Sequence, residues 1–158
     1  MWGFDNEGSS PNTGDPTYRG TAAFSEPETQ ALRDFAIARE FVITIYYHSY
    51  SNLILWPWGY DQIYCEDEDI FSVIGDSAST FNGYDPGPGW ILYVVNGSSD
   101  DWHYGEQTLK NKNFSMTIEV GSYEDNFWPP ASRIQPLISE NLQPNLYYAE
   151  IAGHIYSL

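Results

Sequence analysis

The sequence predicts an α/β fold, and three features of it carry that prediction. Residues 25–39 and 66–80 repeat apolar side chains at helical spacing. Residues 41–47 form a short, almost unbroken apolar run, the pattern of a strand covered on both faces of an α/β sheet. Residues 114–120 alternate, and these strand-like and helix-like segments follow one another along the chain.

In chain order, Met1, Trp2, Gly3 and Phe4 lead into a Gly/Ser/Asn/Pro loop from Asp5 to Gly20. This opening has neither the cationic start nor the apolar stretch of a secretory signal, and it reads as the inside of a domain. Ser25, Glu26, Pro27 and Glu28 have the spacing of a capping box, with the proline in the first turn. The helix they begin places Leu32, Phe35 and Ala36 on one face and Arg33 and Arg39 toward its negative end. After the strand at 41–47 comes a second from Asn52 to Trp56, stopped by Pro57. Glu66 to Thr80 predicts an acidic-ended helix with Ile70, Val73, Ile74 and Ala78 on one face. Asn82 to Gly89 reads as a surface loop, Trp90 to Val95 as a short strand, and Asn96–Gly97 as a turn. Phe114, Met116, Ile118 and Val120 share one face of the next strand, Ser115, Thr117 and Glu119 the other, and Gly121 ends it. Helical segments are expected from about Ser132 to Ala152, interrupted near Pro136 and Pro144.

Composition removes several classes of function. With 158 residues the chain is long enough for one domain with a sizeable core. Its 22 acidic against 6 basic side chains give a formal charge of −16, with no Lys/Arg stripe to replace phosphate counterions, so nucleic acid is excluded as a partner. The longest apolar run falls far short of the roughly 20 residues that span a bilayer, so no membrane partner is expected. Cys65 has no partner for a disulfide, and 17% aromatic content argues against an acidic disordered tail.

Several residues have settings suited to chemistry. His48 ends the strand that looks most buried, and functional side chains gather at carboxyl ends of strands in open α/β sheets. By itself, a lone histidine there is more often a hydrogen-bonded core residue than a ligand. Glu119 lies on a polar strand face, either functional or held by neighbouring hydroxyls. Tyr93 precedes a loop of Asn96, Gly97, Ser98, Ser99, Asp100, Asp101 and Trp102. His103 and Glu106 have metal-ligand spacing but fall in a Gly-containing loop without helical periodicity, which favours coincidence. Cys65 beside Glu66 and Asp67 is poorly placed to become a thiolate nucleophile. There is no nucleophile elbow, P-loop or dinucleotide fingerprint.

Taken in order, these segments resemble the C-terminal half of the zinc carboxypeptidase family, in its bacterial carboxypeptidase T-like branch. The resemblance lies in Tyr18-Arg19-Gly20 with Ala23 to Thr29, in His48 to Ser51 with Leu53 to Gly59, in Tyr93 with Gly97 to Trp102, and in Thr117 to Gly121 with Phe127 to Pro130. It implies a mixed, mostly parallel sheet flanked by helices. It also implies that His48 is the third protein ligand of a catalytic zinc, and that Glu119 is the general base, taking a proton from metal-activated water and passing it to the leaving amine. Ser49 and Tyr50 would bind substrate, and Tyr93 would close over its C-terminal residue. Asp100 would line the specificity pocket and favour Lys or Arg there by charge pairing, unless the loop is shifted by one and Asp101 takes that place.

The family's His-x-x-Glu pair, its oxyanion Arg and its Asn-Arg pair match nothing in the chain. Residues 1–158 therefore read as the C-terminal portion of a single catalytic domain, inactive alone. Its partners would be peptide or protein C-termini and either the missing N-terminal half or a second copy, because half a sheet exposes a strand edge. Secretion follows from the family. So does structural calcium, for which Glu66 to Asp69 and the Asp5 to Asp15 loop offer oxygens, although a solvated acidic face explains them too. Two other readings stand beside this one: a non-catalytic peptide-binding relative, and a carbohydrate-binding or glycan-cleaving domain of the kind that acidic, Trp/Tyr-rich chains suit.

Overall fold

In the computed structural model, which describes residues 1–155, strands and helices alternate as expected of an α/β chain. The order is α1 (Pro27–Arg39), β1 (Ile43–His48), β2 (Leu53–Trp56), α2 (Glu68–Asn82), β3 (Asp85–Pro88), a 3-10 turn (Gly89–Ile91), α3 (Ser99–Gly105), β4 (Phe114–Glu119) and α4 (Ala131–Ile151). The strands form one mixed sheet in the order β1-β4-β2-β3. β2 runs antiparallel to β4, with Leu53 opposite Glu119 and Leu55 opposite Thr117. β1 runs parallel to β4: Phe114 N donates to Val42 O and Val120 N to His48 O, so both strands advance together.

The chain divides into two compact units. The first comprises residues 1–44, 57–64 and 88–115. It holds the N-terminal loop, α1 and α3, around buried Ala36, Tyr104 and Phe114. Arg19 ties its irregular start together, donating to Asp5 O and Asn6 Oδ1, while Trp2 Nε1 donates to Arg19 O. The second comprises 45–56, 65–87 and 116–158. Its core is Ile54, Leu55, Trp56, Phe71, Ile74, Ala78, Tyr84, Met116, Ile118, Leu137 and Tyr148. Trp56 stacks on Phe71, and α2 packs against both β2 and α4.

Several local expectations change. The capping box does not form: Glu26 is the N-cap of α1, and Ser25 Oγ donates to the Glu26 carboxylate instead. Pro27 at the first helical position puts the cap one residue later than the Ser/Glu spacing suggests. β1 is an edge strand, half-covered and exposed at Tyr47 and His48, whereas β4 is the buried one. The buried face of α2 is rotated to Phe71, Ile74, Gly75 and Ala78, leaving Val73 exposed. The predicted loop at 82–89 contains β3, which tolerates Pro86 and Pro88 because it ends the sheet. Residues 90–95 make the 3-10 turn and irregular chain, not a strand. α4 runs unbroken through Pro136 and Pro144. Each proline forfeits a helical hydrogen bond, but packing of the buried face, including Leu137, Asn141 and Tyr148, outweighs that loss.

Candidate active site

In the second unit, the parallel pairing of β1 and β4 sets the positions of two candidate residues. His48 and Glu119 are the last residues of these neighbouring strands, so both sit at the same end of the sheet. His48 is exposed, whereas Glu119 is only 6% exposed. Burial pushes the Glu119 carboxyl above its ordinary pKa, and the charge of nearby His48 draws it partly back.

The chain after His48 is anchored to the turn after Glu119. Ser51 N and Asn52 N both donate to Gly121 O, at 2.8 and 3.0 Å. Gly121 has φ +92°, a conformation strained for any other residue, and a Cβ there would crowd Asp125 Cβ at 3.2 Å. The Asp125 carboxylate closes the turn. It accepts from Ser122 N and from the Arg133 guanidinium, which holds it well below the usual carboxylate range. The Ser49–Tyr50 peptide is cis. The Tyr50 ring lies edge-on to Tyr123 and Phe127.

Ser51 Oγ and Asn52 Oδ1 are buried and lack a hydrogen-bond partner among the described residues. Buried, unsatisfied polar atoms are rare in folded chains. Here they directly follow the three candidates His48, Ser49 and Tyr50. The sequence marks Asn52 and Gly121 only as a strand start and a strand end, not as parts of a site; in the structure both have left-handed backbone, with φ 55° and 92°.

Tyr93 and Asp100 belong to the first unit. Tyr93 is 63% exposed. Asp100 lies in the first turn of α3, half-buried, with Oδ1 accepting from Ser115 Oγ at 2.5 Å. Asp101 is buried and committed to the backbone: Oδ1 accepts from Gly59 N at 2.8 Å and Oδ2 from Tyr60 N at 3.1 Å. Burial pushes its carboxyl up to about 6 against these two donors. Ser98 caps α3 by accepting from Asp101 N, which makes helix where a loop was expected. His103 lies inside that helix, buried, and burial with neighbouring Lys110 lowers it to about 4. Glu106 points elsewhere, accepting from Thr108 N and Leu109 N.

Among the described residues, no group of three or more His, Cys, Asp or Glu side chains could hold a metal ion. His48 and Glu119 are therefore not a complete zinc centre. The acidic run at 66–69 makes no calcium cluster either: Asp67 is the N-cap of α2, and Glu68 accepts from Trp56 Nε1 at 3.0 Å. No helix among the described residues is long and apolar enough to cross a membrane.

Comparison with known proteins gives the chain a setting. The zinc carboxypeptidase family profile matches residues 1–144. Carboxypeptidase B of Canis lupus familiaris is 35% identical over 94% of the chain and 38% of its own length. The crystal structure of thrombin activatable fibrinolysis inhibitor superposes with a TM-score of 0.80 at 32% identity, covering 94% of this chain and 38% of that one. The bovine form of that protein, in complex with tick carboxypeptidase inhibitor, gives 0.79 at 30% identity, covering 96% and 52%. The chain thus spans from 38% to 52% of the length of these three proteins.

Proposed function

We propose, from the premise that the chain belongs to the zinc carboxypeptidase family, that residues 1–158 are the C-terminal portion of a single catalytic domain that removes residues from peptide C-termini. The observation that carries this reading is the placement of His48 and Glu119 at adjacent ends of two parallel strands in one unit. Glu119 is the general base. A carboxylate whose proton affinity is raised by burial suits taking a proton from an attacking water and handing it to the leaving amine. His48 supplies one zinc ligand. The remaining donors do not lie among the described residues, and one imidazole does not hold the ion tightly. The chain by itself is therefore inactive as a peptidase.

Ser49 and Tyr50 bind substrate beside His48, and Tyr93 covers the substrate's terminal residue. Asp100 selects Lys or Arg there; in support, Asp100 is only half-buried, while both oxygens of Asp101 are taken up by backbone donors. The domain acts outside the cell. It is completed by an N-terminal portion or, failing that, pairs with a second copy.

The test joins the chain to an upstream segment carrying a His-x-x-Glu pair and measures zinc content and release of C-terminal residues. Zinc uptake with release of Lys or Arg, reduced at least about 100-fold by Glu119→Gln, is the expected result. A folded, zinc-loaded product that releases nothing overturns the reading. Peptide binding without turnover would identify a non-catalytic relative instead.

A further inference from the structure

One buried hydroxyl in the second unit has more partners than packing alone requires. Tyr84 is 2% exposed. Its phenolic oxygen donates to Glu140 Oε1 at 2.5 Å and accepts from Asn141 Nδ2 at 3.1 Å and from Gly121 N at 3.3 Å. One donor and two acceptor positions are all that a phenol offers, so the group is saturated. The residue is also fixed through its own backbone. Tyr84 N donates to Asn82 Oδ1 at 3.1 Å, and Ser79 Oγ donates to Tyr84 O at 2.7 Å. Asn141 in turn accepts from Asn82 Nδ2 and donates to Leu137 O, so the phenol is braced against both α2 and α4.

Gly121 is the piece of chain that this brace holds. It lies two residues past Glu119, and its carbonyl takes both Ser51 N and Asn52 N, immediately after Tyr50. The same stretch is pinned again from Tyr84's neighbour, since Asp85 N donates to Asn52 O at 2.9 Å. Val120 N closes the frame on His48 O. The end of β4 and the chain leaving β1 are therefore joined at one glycine, whose N–H is held by one hydroxyl.

We propose that Tyr84 is a positioning residue: its hydroxyl fixes the Gly121 turn, and through it both Glu119 and the His48-Ser49-Tyr50 segment. Calling the held residues a catalytic site rests on the peptidase reading; the coupling of the two segments does not. If Tyr84 served only to fill the core, its ring would matter and its hydroxyl would not.

The experiment is amide hydrogen exchange, followed by NMR, on the full 158-residue chain. In Tyr84→Phe the ring stays while Gly121 N loses its acceptor. The amides of Gly121, Ser51 and Asn52 are then expected to exchange together, on the order of tenfold faster, as befits one lost buried hydrogen bond. Phe71 and Ile74 in α2 should keep their native rates. Glu140→Gln retains an acceptor for the hydroxyl and should leave all of these amides as in the native chain. Glu140→Ala leaves the phenol in place but removes its acceptor, and should accelerate the same three amides by a smaller factor, about threefold. Acceleration of Gly121 alone, uniform acceleration that includes α2, or native rates in Tyr84→Phe would each overturn the positioning role. None of these outcomes depends on zinc or turnover, so the peptidase reading would stand. Coupled acceleration in a chain whose completed domain cleaves no peptide would do the reverse.

Discussion

Asp101 gives the chain a pH dependence whose sign can be worked out from its surroundings. Its carboxyl is buried beneath Gly59 and Tyr60, and burial lifts its pKa from 3.8 to about 6 despite the two N–H groups that favour the anion. Between these values the folded chain holds a proton that the unfolded chain has released. Stability from this group is therefore fully present below about pH 4 and is lost as pH rises through about 6. A shift of about two units corresponds to about 3 kcal/mol.

Asp101→Asn keeps the volume and one acceptor, stays neutral at every pH, and sets an NH2 group against the second backbone donor. That mismatch costs roughly 1–3 kcal/mol at any pH. Urea unfolding of both proteins at pH 4, 5, 6 and 7 isolates the carboxyl, because the other titrating groups are common to the pair. The native chain's advantage over the variant should be greatest at pH 4 and shrink by about 2 kcal/mol by pH 7. An advantage that stays flat across the series would show that the two N–H donors cancel the burial and leave the Asp101 carboxyl at its ordinary pKa.

Two glycines provide further tests. Gly75→Ala ought to gain up to about 1 kcal/mol from helix propensity. Its Cβ would lie 2.7 Å from Trp56 Cζ3 and 3.0 Å from Pro86 Cβ, both on rigid groups, so overpacking of about 1–3 kcal/mol should win and thermal melting should move down. An unchanged or higher midpoint would mean that β2 and β3 yield to the extra methyl. Gly121→Ala combines a left-handed backbone with the Asp125 contact and should lose roughly 1–3 kcal/mol in urea unfolding, an expectation that a loss below about 0.5 kcal/mol would refute.

The parts of the fold that were legible in the sequence are those where one local pattern suffices. Alternation at 114–120 and the turn chemistry at Pro57 and Gly121 mark the strands beside the site, and α1 and α2 follow from apolar spacing. Patterns fail where neighbours decide. The run 41–47 states that its side chains prefer apolar surroundings, but whether they find them depends on the strands available, and β1 ends the sheet. Pro86 and Pro88 argue against a strand only where both edges must be paired, and β3 needs one. Pro136 and Pro144 argue against a helix only until α4 has a partner to pack on.

The site divides the same way. His48, Ser49, Tyr50, Tyr93, Asp100 and Glu119 were named as candidates because each lies in a short contiguous motif of the sequence. The frame under His48 and Glu119 was invisible, because it is made of long-range bonds to the backbone. Gly121 meets Tyr84 across 37 residues, and Tyr84 meets Glu140 across 56. A tyrosine in a chain with 13 of them carries no local mark of that role. Yet the frame limits how far the residues at the strand ends can shift: Glu119 lies one residue from Val120, whose N–H is bonded to His48 O, and two from Gly121. Tyr84→Phe or Glu140→Ala should therefore disturb the ends of β1 and β4 without touching any residue that a motif would flag.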